Sequence, residues 1–273
     1  MKFRSLTLGI LAASLSVAHA AETDGGTWSL TLVPGATLRY RGEGKLLPQG
    51  YVNRTENQNA PLYRLEWRQP ADPSGYWGFA LWHTGVFGGG AYRPETVPDG
   101  AGGDYQTDLL NVGFTNLFVT YHRPVEGWPV EAEAGFSIAR EIFKRKAFVV
   151  QGIPAPNGLD DVNEISAEGL GVGLSGIHGG SVYLRWRAAA HYYVQLFDAK
   201  TDASAGQIFQ SEAGLGWRRG RFSVEAGGMW QAWFILGQGN RRLSVPGTAG
   251  AVISYNRQDT RLGGLYLKID NRF

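Results

Sequence analysis

The chain has 273 residues and no cysteine. Disulfide frameworks and thiolate metal sites are therefore excluded. Methionine occurs only 2 times. After the first twenty residues there is no apolar run long enough to cross a bilayer as a helix. If this chain enters a membrane, it must do so as a closed β-barrel, because lipid satisfies no backbone hydrogen bond. Charge of a single sign is also lacking: Lys and Arg number 26, Asp and Glu 24, for a net charge of +2. Lys2 and Arg4 account for that excess, so the sequence beyond them is neutral and gives no argument for nucleic acid. Gly88-Gly89-Gly90 is followed by neither the lysine nor the helix of a phosphate loop, and no acidic stretch has EF-hand spacing. No cofactor and no metal are implied.

Aromatic residues and glycine are plentiful, with 9 Trp, 12 Tyr, 13 Phe and 39 Gly. Residues 1–20 read as a secretion signal. Lys2 and Arg4 form its positive end, Leu6 to Val17 its short apolar run, and Ala18-His19-Ala20 the small residues before cleavage. Residues 21–273 then form one domain.

That domain alternates with period two, the signature of strands. Tyr63, Leu65 and Trp67 share one face, while Arg64, Glu66 and Arg68 share the other. Strand seven, near residues 182–195, has the clearest alternation. Val182, Leu184, Trp186, Ala188, Ala190 and Tyr192 oppose Tyr183, Arg185, Arg187, His191 and Tyr193. Strand one, Thr27 to Arg41, places Ala36 and Leu38 with the outward set and Arg39 inward, with a kink at Pro34-Gly35. Strand four, Thr107 to His122, changes phase, and a bulge near Thr115-Asn116 would reconcile its halves. Long loops are expected at Gly42–Ala60, Glu141–Asp161 and Gly237–Thr260.

About ten strands result, with eight or twelve as alternatives. Short turns at Pro70–Gly75, Arg123–Pro129, Ile177–Gly180 and Arg218–Gly220 alternate with long loops, as in bacterial barrels. Trp28, Trp67, Trp77, Trp128 and Trp217 all fall on the short-turn side, where a periplasmic aromatic girdle belongs. A soluble periplasmic β domain is the alternative. It would require the faces taken as outward to be covered by protein.

The last stretch, Arg261 to Phe273, carries Leu265, Leu267 and Ile269 on one face and Tyr266, Lys268, Asp270 and Arg272 on the other, then ends on an aromatic. It resembles the closing strand of Gram-negative outer-membrane β-barrels. That resemblance implies a closed antiparallel up-and-down transmembrane barrel, all-β, in the cell outer membrane. It also implies that Phe273 serves as an assembly signal for the barrel-assembly machinery, and that outer-membrane lipid and lipopolysaccharide surround the wall. It names no subfamily.

Inward positions collect Arg39, Arg64, Glu66, Arg68, Glu131, Glu133, Arg185, Arg187, His191, Glu212, Glu225, Lys268 and Asp270. Both signs are present, so a charge-paired polar lumen is expected. His83 and His191, placed high in the lumen, are the candidates for catalysis. Each would need a carboxylate or hydroxyl within hydrogen-bond reach. The expected function is a narrow pore or a structural surface barrel. An outer-rim hydrolase acting on lipid or peptide, or a loop-based adhesin or ligand-binding barrel, is the alternative.

Overall fold

The computed structural model describes residues 25–47, 50–59, 61–72, 75–84, 92–98, 103–154, 161–197, 202–242 and 252–273. The secretion signal expected at residues 1–20 lies outside the described residues. The strands in chain order are β1 (Thr27–Val33), β2 (Thr37–Leu47), β3 (Gly50–Asn59), β4 (Leu62–Asp72), β5 (Gly75–Thr84), β6 (Arg93–Pro98) and β7 (Asp104–Pro124). They continue with β8 (Glu131–Val150), β9 (Ile153–Pro154), β10 (Asp161–Gly179), β11 (Val182–Phe197), β12 (Asp202–Arg219), β13 (Phe222–Arg242) and β14 (Val252–Arg272).

Ten strands form a closed antiparallel ring, in the order β1-β4-β5-β7-β8-β10-β11-β12-β13-β14, with β14 pairing back to β1. Closure removes every free edge at membrane depth. The rest build upward from the ring. Hairpin β2–β3 continues β1–β4 and pairs with the upper half of β14, while β6 lies on the upper half of β7. At the other end the turns are tight. Val125 N–H donates to Val130 O at 2.9 Å, with Gly127 at φ 78°, a conformation other residues adopt with strain.

The outer face is apolar and uncovered. Leu265 is 79 % exposed, Leu170 70 % and Leu215 66 %, and Val172, Phe136, Leu184 and Ile269 join them around the wall. A soluble domain does not present such a belt to water, and lipid is its natural solvent. The soluble alternative fails here, because no described protein segment covers these faces. Tryptophans gather at the short-turn end. Trp28 stacks on Trp67 with ring centroids 6.0 Å apart, Trp67 on Phe79 at 5.0 Å, and Trp77 meets Tyr121 edge-on at 5.3 Å. Trp128 projects from the β7–β8 turn and Trp217 from β12, both exposed.

The structure corrects several expectations. The turn at Pro34-Gly35 switches the phase of the chain between β1 and β2, so Ala36 and Leu38 face inward, buried, and Arg39 is exposed on the outer face. Arg39 is therefore not lumen-lining. The supposed loop at 42–60 is largely the β2–β3 hairpin. The 141–161 and 237–260 segments hold the upper ends of β8, β13 and β14. Strand β7 has no bulge at Thr115-Asn116. Its register with β8 is continuous there and shifts instead between Thr107 and Leu109. Leu110, Val112 and Phe114 simply point inward, because the barrel interior is apolar at their height.

Candidate functional site: a filled lumen

Inward side chains fall into two layers. The lower one, toward the short turns, is charged. Arg185 on β11 is its centre. Its Nη2 donates to Glu212 Oε1 at 3.0 Å, and its Nε contacts Glu225 Oε2 at 3.0 Å. Arg64 on β4 reaches across the barrel to the other oxygen of Glu212. Tyr266 donates its hydroxyl proton to Glu225. Lys268 on β14 sits 2.8 Å from Glu66 and 3.4 Å from Asp270, which also accepts from Ser223 at 2.9 Å. Arg187 binds Glu133 through two nitrogens, at 2.6 and 2.9 Å, and donates to Gln210 at 3.1 Å; Gln210 donates onward to Gln231 at 2.9 Å. At the lower rim Tyr76 donates to Glu131 at 2.6 Å and carries the Arg68 guanidinium over its ring at 5.5 Å.

Glycines make room for these groups. A Cβ on Gly171 would stand 2.1 Å from His191 Nδ1, and one on Gly216 2.2 Å from the Tyr183 ring. The glycine faces of β10 and β12 are thus seats for long side chains on the neighbouring strands.

The upper layer is mostly apolar, with buried Asn116 and a Thr260 hydroxyl that donates to buried Glu141 set among its rings. Leu38, Leu62, Trp82, Leu110, Val112, Phe114, Phe118, Phe143, Tyr193, Ile208, Trp233 and Leu262 pack there as one buried cluster. Arg64 joins the layers by placing its guanidinium 4.8 Å from the Trp82 ring centroid. An interior cavity of about 50 Å³ lies near the short-turn mouth, lined in part by Ser29, Arg68, Arg185, Lys268 and Asp270. That is room for a water or two.

The two histidines part company. His191 faces the lumen, buried, with Nδ1 3.1 Å from Ser137 Oγ and its ring 4.7 Å from that of Phe118. Ser137 in turn donates to the Tyr193 hydroxyl at 3.0 Å. A serine bonded to a histidine has the makings of a nucleophile and base, but Ser137 has no exposed surface, so no substrate reaches it. His83 is not in the lumen. It shares the outward phase of Trp77, Phe79 and Leu81, and its Nδ1 lies 2.7 Å from Thr115 Oγ1 on the outer wall. Each histidine has a hydroxyl within hydrogen-bond reach, on the outer wall for His83 and deep in the lumen for His191. Among the described residues no three His, Asp or Glu side chains gather in a way suited to a metal ion.

A third cluster went unnoticed in the sequence. Above the belt, where Lys144 and Lys146 take over the outer face of β8, Glu95 on β6 pairs with Asp108 on β7 in register. Arg145 Nε donates to Glu95 at 2.7 Å, and the Gln106 amide donates to Asp108. Burial, and then the adjacent Glu95 carboxylate, push Asp108 up to about 7. No alternation signal marks this cluster, because Glu95 belongs to a short strand between Pro94 and Pro98.

No protein-family model matches the sequence. No curated protein matches it either. Among solved structures, the chain is similar to the outer membrane protease OmpT of Escherichia coli, with a TM-score of 0.58 and 12 % identity, over 92 % of this chain and 98 % of that one. The translocator domain of the autotransporter NalP of Neisseria meningitidis aligns with a TM-score of 0.38 and 10 % identity, over 99 % and 97 % of the two chains. The Pseudomonas putida toluene transporter TodX aligns at 0.33 and 8 %, over 92 % and 91 %. The likeness to OmpT is one of fold: the chain folds as an outer-membrane β-barrel.

Proposed function

We propose that this protein is a non-conducting outer-membrane barrel, a structural surface protein that holds its β2–β3 and β6 extensions above the membrane. The filled lumen carries this reading. An ion-paired layer lies beneath a close-packed aromatic and aliphatic layer, and an ion would have to displace both. Most charges of the lower layer meet an opposite partner, an arrangement that props a wall rather than one that selects ions in transit. Location in the outer membrane, with lipid and lipopolysaccharide around the wall, is part of the same proposal, and so is recognition of Phe273 by the barrel-assembly machinery.

The test is single-channel recording of the full chain, exported and purified from outer membranes. Heat-modifiable migration on a gel would first establish that it is folded. The inserted barrel should stay silent. Steady, ion-selective steps would refute the reading and restore the pore. A hydrolase is the second reading, supported by the Ser137–His191 hydrogen bond and by a fold shared with a protease. It requires the barrel to open at Ser137, and Ser137→Ala would then abolish any peptide or ester hydrolysis measured on the purified protein.

A further inference from the structure

The lipid-facing wall is not uniform. Across β7, β8, β10, β11 and β12, the register lines up two outward rows. One runs Arg123, Ala132, Leu174, Ala188, Ser211, and the other Tyr121, Ala134, Val172, Ala190, Phe209. Alanines alternate with larger residues in both rows, so the wall is hollowed between Tyr121, Trp186 and Phe209. The hollow measures about 800 Å³. A second hollow of about 300 Å³ shares Val172, Ala190 and Phe209 with it and extends it upward past Tyr192. The lower end is closed by Trp186, which lies across Gly176 and donates its indole N–H to His178 at 3.3 Å. Arg123, exposed on β7, lines the same hollow from its other side, with β8 and β10 between it and Trp186.

We infer that this groove is a binding site for one glycerophospholipid of the periplasmic leaflet, with an acyl chain along the alanine floor and the phosphodiester at Arg123. The groove lies inside the apolar belt, so hydrocarbon rather than water fills it. Its volume is in the range of specific small-molecule sites, about 300–1,000 Å³. A smooth wall offers a lipid chain nothing beyond the contacts of bulk bilayer, but an open groove with an alanine floor between larger side chains adds close dispersion contacts along one side of the chain. The cation falls at the end where the tryptophan girdle places the headgroups. A guanidinium there matches a phosphate by charge and by paired donors. The inference depends on the membrane location and not on closure of the lumen.

The test is native mass spectrometry of the full chain from outer membranes, delipidated and then exposed to palmitoyl-oleoyl phosphatidylglycerol or to the diacylglycerol with the same chains. The wild-type barrel should retain one phosphatidylglycerol through detergent washing. Ala188→Phe fills the floor and should lower that adduct at least tenfold. Ala134→Phe does the same from another strand and serves should the first variant fail to fold, as judged by heat-modifiable migration. Arg123→Gln should reduce the adduct several-fold and abolish the preference over diacylglycerol. Equal adducts in wild type and both filled variants would overturn the site. So would a dimer lost in the filled variants with no lipid retained, because the groove would then receive a second copy of this chain.

Discussion

Replacing Arg185 by methionine probes the lumen most directly. The substitution keeps most of the side chain's length, so little cavity results. It removes the cation between Glu212 and Glu225, both buried. Breaking a buried ion pair from one side costs about 3–5 kcal/mol, since a charge is left without compensation. Here each carboxylate keeps one partner: Glu212 keeps Arg64, and Glu225 keeps the Tyr266 hydroxyl. The loss should therefore fall near the lower end, about 3 kcal/mol. Equilibrium urea unfolding in lipid vesicles, followed by tryptophan fluorescence, measures it. Adding Glu225→Gln removes one stranded charge and should restore at least about 1 kcal/mol, a coupling expected only of residues in contact. The double variant should also remain silent in conductance, because the Trp82 and Phe118 layer above is untouched. A loss under about 1 kcal/mol for Arg185→Met, or strict additivity in the double variant, would show that the network is hydrated and loose. The account of the lumen as a solid prop would then fail.

Gly171→Val should hinder folding, because its Cβ would meet His191 Nδ1. Overpacking of this kind costs about 1–3 kcal/mol, and heat-modifiable migration should reveal a smaller folded fraction. Asp108 couples the β6 strap to pH. Its proton is held up to about 7 in the folded protein against an ordinary value of 3.8. That stabilisation is complete at low pH and fades as pH rises toward and through 7. Hydrogen exchange in Arg93–Pro98 should quicken from pH 5 to pH 8 beyond the intrinsic base-catalysed rise, and Asp108→Asn should remove that excess. Phe273 closes the ring, its N–H donating to Gly26 O at 3.0 Å. Phe273→Ala should lower assembled barrel in cells several-fold while changing urea stability by no more than about 1 kcal/mol; an equal loss in both measurements would make the residue structural only.

Much of the architecture was legible in the residues. Where one face is apolar and the other charged, as in β11 and in the lower half of β14, a one-residue slip would turn every side chain to the wrong medium. Alternation therefore identified those strands, and the spacing of short turns gave their number. Legibility failed where both media are apolar. In the upper half of the barrel much of the lumen is as apolar as the outside, so the change of phase in strand four reads in sequence as a bulge, whereas Leu110, Val112 and Phe114 point inward in the fold. Polar stretches such as β3 failed for the opposite reason. Above the membrane both faces of a strand can be hydrophilic, and composition then reads as loop.

Sequence by itself determined the medium each regular strand would face, because that depends only on period two and the polarity of neighbouring residues. Tertiary structure alone decided what the inward residues meet. Arg64 and Glu212 are 148 positions apart, and only ring closure and strand stagger bring them together. The phase of Arg39, the burial of Ser137 beside His191, and the alanine groove across β8, β10 and β11 have the same origin. Each depends on register between strands, a relation among residues far apart in the chain that no local pattern contains.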